Sequence, residues 1–298
     1  MSAPFAIVVH GGTGATLDDI DGCHAAAHAG IDVLLANGES LEAVVRAVMT
    51  LENDGRFNAG SGSAVAPDGV TIEMDASVMD TRGRLGAIAC VRDVKNPVLL
   101  AREVANTQHR LLAGEGAQRF ARVRGLAPSA PLTDAIRQRR MATLRESMRA
   151  SSPEDIAKRE EVLRLWNYAG EPVPTAADGC DTVGAVARDA AGHFAVAAST
   201  GGIAPALMGR VGDTPLVGAG FYAGVDGAVA ITGTGEDIIP LLLAHTVYRW
   251  IADAMPLQQA LERGVALLPA GSEIGIIAVS RTESGHHGNR TMPVSKGM

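Results

Sequence analysis

The chain has 298 residues, of which 47% are hydrophobic and only 3% aromatic, with 35 glycines and a net charge of −7. This length and apolar content indicate one large domain or two modest ones, with a core packed through small side chains. The negative charge argues against a nucleic-acid-binding protein, whose binding surface would be basic.

Targeting signals and cysteine usage indicate a compartment. No apolar stretch approaches the length of a membrane span, and the apolar run at 5–9 lacks the basic flank of a signal peptide. The three cysteines, Cys23, Cys90 and Cys180, are odd in number and widely spaced, which is typical of reduced thiols. We therefore expect a cytoplasmic protein.

The first half of the chain predicts alternating strands and helices. A short strand ends in the glycine turn HGGTGA at 10–15, and turn-rich residues fill 53–69. Predicted strands lie at 5–9, 70–75 and 85–93, and predicted helices lie at 18–36, 40–51 and 98–112.

The composition changes between about residues 127 and 181, where the chain becomes polar and rich in Arg, Glu and Ser. Part of this segment is compatible with a solvated helix, and its end, EPVPTAADG, predicts a mobile linker. Beyond it, strands are predicted at 182–189, 193–199, 227–232 and 274–280, and helices at 237–253 and 256–268. Both halves supply strands and helices, so we expect them to form one fold.

Thr182 stands where the polar segment meets the first of these later strands. If the Asp181–Thr182 bond were cleaved, Thr182 would carry a hydroxyl nucleophile and a free α-amine base on one residue. The plain alternative is a β-branched residue that opens a strand.

Three more threonines lie in glycine-rich turns, and they favour the functional interpretation. Thr200 ends a strand in STGG, and Thr232 and Thr234 lie in TGTGE at 232–236. Glycine lets backbone N–H groups approach a ligand, so these turns are suited to an oxyanion hole. A phosphate site is disfavoured, because no turn shows a P-loop or a complete dinucleotide-binding pattern.

Other polar residues leave alternatives open. Arg210 and Asp213 are either a surface ion pair or a clamp for a zwitterion, in which Arg holds a carboxylate and Asp an ammonium. His10 is either a catalytic group or a core histidine, and Cys180 has no obvious base beside it. No Cys or His cluster has zinc-ligand spacing.

Taken in order, the motifs resemble the plant-type (isoaspartyl peptidase/L-asparaginase) branch of the N-terminal nucleophile hydrolases. The matching motifs are HGGTGA at 10–15, LENDGRFNAGSG at 51–62, EMDASVMD at 73–80, GEGA at 114–117, TVGAVA at 182–187, STGG at 199–202, GRVGDTPLVGAG at 209–220 and TGTGE at 232–236. The resemblance implies an α+β fold, a four-layer αββα sandwich. It also implies a precursor that cleaves itself into an α subunit, 1–181, and a β subunit, 182–298.

The resemblance also implies roles for the residues around the nucleophile. Thr182 would be the autocleavage residue and the nucleophile, and Thr200 would hold its hydroxyl and tune its amine. Thr232 and the N–H of Gly233 would form the oxyanion hole against the substrate. Asn58 would lie near the nucleophile.

The substrate clamp, the ions and the assembly follow from the same resemblance. Arg210 would bind the substrate α-carboxylate, while Asp213 and the carbonyl of Gly235 would bind its α-amine. A structural sodium ion would be held by backbone carbonyls of one loop, drawn from Leu51, Glu52, Asp54, Phe57, Ala59 and Ser61. No organic cofactor is implied, the partner is a small amino acid or dipeptide, and a homodimer of αβ units is expected.

Two departures separate this chain from the pattern. The branch usually has Gly before the nucleophile, whereas this chain has Asp181, which suggests a carboxylate base in autoprocessing. The family tends to end in a Phe-Asn-Thr-x-Gly-Met stretch, and this chain has PVSKGM at 293–298.

The expected function is hydrolysis of the side-chain amide of L-asparagine or of β-aspartyl dipeptides. The alternatives are a sibling hydrolase acting on a glycosylated asparagine, a peptide bond after aspartate or another amide, and an unprocessed protein that binds an amino acid without catalysis.

Overall fold

The computed structural model describes residues 5–129, 153–172 and 182–297. It shows an α+β fold with two sheets and flanking helices. The strands are β1 Ala6–His10, β2 Met74–Asp80, β3 Leu85–Val91, β4 Leu111–Ala113, β5 Val183–Arg188, β6 Phe194–Thr200, β7 Phe221–Gly224, β8 Gly227–Gly233, β9 Ile274–Ser280, β10 Ser284–Gly288 and β11 Val294–Gly297. The helices are α1 Ile20–Leu35, α2 Ser40–Asp54, α3 Pro97–Ala105, α4 Gly114–Val123, α5 Pro153–Arg164, α6 Gly235–Ile238, α7 Leu243–Ala252 and α8 Leu257–Val265.

The larger sheet has seven strands in the order β11-β1-β5-β6-β2-β3-β4, and the smaller has four in the order β10-β9-β8-β7. Every pairing is antiparallel except β3 with β4. The strand that follows Thr182 therefore lies in the middle of the larger sheet, between β1 and β6. Both of its edges are paired, and all six of its residues are buried.

Alternation along β5 decides which side chains face which core. Ala185 belongs to the core that α1, α2 and α3 form on the larger sheet. Val186 belongs to a second core that also contains Phe221 and Ile277 of the smaller sheet. Because successive side chains of a strand point to opposite faces, Thr182 shares the face of Val186. A third core packs α7 and α8 on the smaller sheet.

Several predicted boundaries shift because tertiary pairing overrides local pattern. The strand predicted at 70–75 begins at Met74, and the helix predicted at 98–112 ends at Ala105, before the short strand β4. The helix predicted over 237–253 is interrupted at Leu242, whose φ of 44° is left-handed. Four strands escaped prediction, namely β4, β7, β10 and β11.

Part of the polar segment 127–181 is described. It forms α5, as the sequence allowed, followed by residues 165–172. The predictions for Cys180 and Asp181 lie outside the described residues. In the part of the chain that the structure describes, no helix is both long and apolar enough to span a membrane.

Candidate active site

Thr182 lies buried at the head of β5, with only 5% of its surface exposed. Its backbone nitrogen donates to Thr232 Oγ1 at 3.3 Å, and its own hydroxyl lies 3.3 Å from the hydroxyl of Thr214. Both reactive atoms of an N-terminal threonine, the amine and the hydroxyl, are therefore within hydrogen-bonding distance of another hydroxyl.

Thr200 is brought beside Thr182 by the strand register. The β5–β6 pairing sets Val183 opposite Ser199, and one further step of this antiparallel register sets Thr182 opposite Thr200. Thr200 Oγ1 accepts a hydrogen bond from Gly202 N at 3.1 Å. The predicted pairing of Thr182 with Thr200 is thus compatible with the sheet, and the glycine turn begins directly after it.

Asn58 forms hydrogen bonds with the two glycines of this turn. Its side-chain amide donates to Gly202 O at 2.7 Å and accepts from Ala64 N at 2.8 Å, while its carbonyl accepts from Gly201 N at 2.9 Å. A Cβ on Gly201 would lie 2.5 Å from the Ser63 Cβ, so only glycine fits there. Asn58 therefore fixes the backbone that follows Thr200.

Thr232 ends the strand opposite the nucleophile and is completely buried. Its hydroxyl accepts from two backbone nitrogens, those of Thr182 and Thr13, each at 3.3 Å. Gly233 follows with a φ of 146°, which a side chain rarely tolerates, and a Cβ there would clash with the carbonyl of Glu273. The residue that follows Thr232 is therefore restricted to glycine.

The carboxylate-binding candidate Arg210 is held by an acid that sequence reasoning missed. Glu236 accepts from Arg210 Nε at 2.9 Å and from Nη2 at 2.8 Å, which engages one edge of the guanidinium. A Cβ on Gly235 would lie 2.9 Å from Arg210 Nη2 and 3.0 Å from Asp213 Oδ1. The predicted clamp residues Arg210, Asp213 and Gly235 therefore meet in space. The only sequence signal for Glu236 was its place at the end of TGTGE.

Asp213 is buried, with 4% exposure, so the surface ion-pair interpretation does not describe it. Its Oδ2 atom has no hydrogen-bond partner among the described residues. Burial raises the pKa of Asp213 to about 7, and the positive charge of Arg210 offsets only part of this. An unpaired buried carboxylate is costly, and an ammonium ligand would remove that cost.

A second buried acid, Asp75, also escaped the sequence analysis. The β2–β6 register sets Asp75 opposite Thr200, so Asp75 lies in the same row of the sheet as Thr182. It accepts from Cys90 N at 2.8 Å, and burial raises its pKa to about 6. An aspartate inside an apolar strand pattern, in EMDAS, was the available signal.

His10 is fully buried, and neither ring nitrogen has a hydrogen-bond partner in the described part of the chain. Burial lowers its pKa to about 3, so the ring is neutral at physiological pH. Of its two interpretations, the structure favours the core histidine, packed beside Gly184 between the sheets.

The segment proposed for sodium is not a loop throughout, because Leu51, Glu52 and Asp54 form the last turn of α2 and only the later residues lie in the turn around Asn58. Its carbonyl groups already receive internal hydrogen bonds: Ser61 Oγ donates to Glu52 O at 2.6 Å, and Ala59 N to Phe57 O at 2.8 Å. Each carbonyl oxygen has a second lone pair, so these atoms remain suited to a hard cation. The Asp54 carboxylate instead pairs with Arg56 at 2.7 Å.

A pocket lies next to this cluster. Its lining residues come from four segments and are Ala64, Val65, Ala66, Glu73, Asp75, Tyr168, Gly201, Gly202, Ile203, Ala206, Leu207 and Arg210. It thus extends from the guanidinium of Arg210 to the turn that follows Thr200.

A buried threonine at the head of a central strand, with its nitrogen and its hydroxyl each beside another hydroxyl, is the arrangement expected of an N-terminal nucleophile hydrolase. The asparaginase family model matches residues 3–296, and the chain belongs to that family.

Named relatives agree with this. The isoaspartyl peptidase/L-asparaginase of Xenopus laevis is 37% identical over 92% of this chain and 85% of its own. The plant-type L-asparaginase of Pyrococcus abyssi is 38% identical over 88% of this chain and 84% of its own. The isoaspartyl peptidase of Escherichia coli (strain K12) is 37% identical over 96% and 88%, respectively.

Proposed function

We propose that this protein is a self-cleaving amidohydrolase that acts on the side-chain amide of L-asparagine and on β-aspartyl dipeptides. The observation that carries the proposal is the burial of Thr182 at the head of β5, with its nitrogen on Thr232 Oγ1 and its hydroxyl on Thr214 Oγ1. The relatives, named as isoaspartyl peptidases and L-asparaginases, support the choice of substrate.

The proposed chemistry uses both ends of Thr182. The free α-amine, whose ordinary pKa is about 7.7–8.0, takes the hydroxyl proton while the oxygen attacks the substrate side-chain carbonyl. The Thr232 hydroxyl and the N–H of Gly233 stabilise the oxyanion. The C–N bond then breaks, and the leaving amine or ammonia takes the proton. Water finally hydrolyses the β-aspartyl ester and regenerates the threonine.

The clamp fixes the aspartyl part of the substrate. Arg210 binds the α-carboxylate through its guanidinium, which Glu236 holds in place through Nε and Nη2. The α-ammonium binds Asp213 and the carbonyl of Gly235, which lie side by side. Thr200 orients the hydroxyl and amine of the nucleophile from the neighbouring strand.

We infer the organisation of the chain from the same family. Residues 1–181 form the α subunit and 182–298 the β subunit of one four-layer αββα sandwich. The three cores, one between the sheets and one outside each sheet, support this layering. A homodimer of αβ units, a structural sodium ion on the 51–61 loop and a cytoplasmic location complete the proposal. The unpaired Cys23 and Cys90 support a reducing compartment.

Asp181 is proposed as the base of autoprocessing. It adjoins the scissile bond, so its carboxylate can accept the Thr182 hydroxyl proton as the N→O acyl shift begins. Asp181→Ala should leave the precursor largely uncut in an intact-mass time course. Normal cleavage of this variant would remove Asp181 from the mechanism.

The test of the function is an intact-mass spectrum of the denatured protein, followed by a substrate panel. Two fragments that meet at Asp181 and Thr182, with release of ammonia from L-asparagine, establish the proposed enzyme. Cleavage with activity only on glycosylated asparagine or another amide would favour the sibling hydrolases. An uncut, inactive chain that still binds L-aspartate would instead be a binding protein.

A further inference from the structure

The segment that follows α5 is attached to the loop that precedes Arg210. Asn167 donates through Nδ2 to Met208 O at 3.0 Å and accepts through Oδ1 from Met208 N at 2.9 Å. Tyr168 donates through its hydroxyl to Ala206 O at 2.9 Å. Three hydrogen bonds thus hold the end of the N-terminal part against the loop after β6.

This attachment places an aromatic ring in a defined position. Tyr168 is only 8% exposed, whereas Asn167 beside it lies at the surface. The Trp166 ring lies 4.9 Å from the Tyr168 ring, and Trp166 Nε1 donates to Gly170 O at 2.8 Å. The segment is therefore closed on itself, and the Tyr168 ring is directed inward as part of the pocket wall.

The polar groups of the pocket are already engaged. Glu73 accepts from Arg92 at 2.8 Å and from Gly209 N at 2.6 Å. Asp75 accepts from a backbone nitrogen and lies near the positive charge of Arg210. The rest of the wall is apolar, and besides Tyr168 it consists of Val65, Ile203 and Leu207 with three alanines and two glycines. The wall thus combines charged groups that already have partners with aliphatic side chains and the Tyr168 ring, against which an apolar group of a ligand can pack.

The position of the pocket relative to the proposed substrate-binding residues indicates which part of the substrate it would hold. Arg210 and Asp213 account for the two charges of the aspartyl part. The pocket instead begins at Arg210 and runs along Gly201 and Gly202, which follow Thr200, the residue that the sheet register sets opposite Thr182. A dipeptide substrate has one further part, the residue whose amine leaves, and this cleft is the adjoining space.

We propose that Tyr168 is a specificity-determining residue, whose ring packs against the apolar side chain of the leaving residue in β-aspartyl dipeptides. The inference rests on the proposed function and adds the class of leaving group to it. It also gives the end of the N-terminal part a role at the substrate site, although that part precedes the cleavage point in the chain.

The test compares three substrates that share the aspartyl part: β-Asp-Leu, β-Asp-Gly and L-asparagine. Tyr168→Ala should lower kcat/KM for β-Asp-Leu about tenfold and change the other two less than twofold, as expected for a lost apolar contact. Tyr168→Phe keeps the ring and should leave the Leu-to-Gly ratio within about twofold of wild type. Tyr168→Trp, a second variant if the alanine protein folds poorly, should narrow the pocket and again penalise only β-Asp-Leu.

Asn167→Ala tests the attachment itself, because it removes the two hydrogen bonds to Met208 without removing a pocket residue. It should shift the Leu-to-Gly ratio in the same direction as Tyr168→Ala, by a smaller factor. An equal loss on all three substrates in the Tyr168 variants, or an unchanged ratio, would overturn the proposal.

Failure of the proposed function is recognised separately. It shows as wild-type protein that hydrolyses none of the three substrates. Calorimetry on wild type and Tyr168→Ala then measures the affinity of β-Asp-Leu relative to L-aspartate. If Tyr168→Ala lowers the affinity for β-Asp-Leu relative to that for L-aspartate, the proposed contact with Tyr168 is supported even without hydrolysis. If the relative affinity stays constant, the proposed contact is contradicted.

Discussion

The site has two regions that are built differently: a cluster of hydroxyls around Thr182 and a charged clamp around Arg210. Thr182, Thr200 and Thr232 lie at or next to the ends of paired strands and are buried, and the nitrogen and hydroxyl of Thr182 each lie beside another hydroxyl. The clamp lies on loops and retains a buried carboxylate oxygen of Asp213 without a hydrogen-bond partner in the described residues. In the proposed mechanism, the nucleophile is therefore positioned before substrate arrives, and an ammonium ligand would supply the partner that this oxygen of Asp213 lacks.

The largest effect should come from the nucleophile. Thr182→Ala removes the attacking hydroxyl and should abolish cleavage and lower hydrolysis by at least about 10³-fold. Thr182→Ser is the matched control, because it keeps both hydroxyl and amine and should still cut. Intact mass and ammonia release measure the two steps, and an active alanine variant would refute the N-terminal threonine mechanism.

The second-largest effect should come from loss of the Thr232 hydroxyl. Thr232→Val preserves the shape of the side chain but removes the group that lies on the Thr182 nitrogen. Loss of one oxyanion donor should lower kcat by about 10²–10³-fold with little change in KM. Steady-state kinetics on L-asparagine measure this split. A variant in which only KM rises would assign Thr232 to ground-state binding.

The third-largest effect should be a loss of substrate affinity when Arg210 of the clamp is replaced. Arg210→Ala removes the partner of the substrate α-carboxylate and should weaken binding by about 2–3 kcal/mol, or 30- to 150-fold. Arg281→Ala is the control, since Arg281 forms an exposed pair with Asp226 at 3.0 Å and should have little effect. Calorimetry measures the affinity of each variant for L-aspartate. Equal affinities in the two variants would exclude Arg210 as the carboxylate-binding residue.

The site residues that the sequence could predict differ from those it could not in how their contacts arise. The register that sets Thr182 opposite Thr200 follows from two adjacent strands, and local pattern predicted both strands, while the relation of the two threonines was implied by the family resemblance. Thr214 is 32 positions from Thr182 and meets it only through the packing of the two sheets, which no local pattern encodes. Tyr168 was missed for the same reason, because its segment is polar and its burial depends on the loop 206–208.

The fold shows the same division. Strands β5, β6, β8 and β9 were predicted because their apolar residues are continuous and buried. Strand β10 contains two histidines and is ordered by pairing with β9, and β11 is ordered by pairing with β1. Such edge strands take their conformation from a neighbour, so composition does not predict them.

The smallest effect concerns the pH dependence of the clamp. In the ligand-free site the pKa of Asp213 is raised to about 7, so the carboxylate is partly protonated at neutral pH. Only the ionised form holds an ammonium, so L-aspartate should bind about fourfold more tightly at pH 8.5 than at pH 6.5. Succinate, which lacks the ammonium, should show no such gain. Asp213→Asn should remove the dependence for L-aspartate.

Stability should change in the opposite direction. A carboxyl whose pKa is raised by folding stabilises the native state below its unfolded pKa, and that contribution is lost as pH rises through about 7. Asp213→Asn, which carries no charge at any pH, should therefore raise Tm relative to wild type at pH 8.5 and not at pH 4. The same variant should bind L-aspartate more weakly at pH 8.5. A wild-type Tm that is higher than that of Asp213→Asn at pH 8.5 would mean that the carboxylate is paired without substrate, and the clamp would then be complete before the ligand arrives.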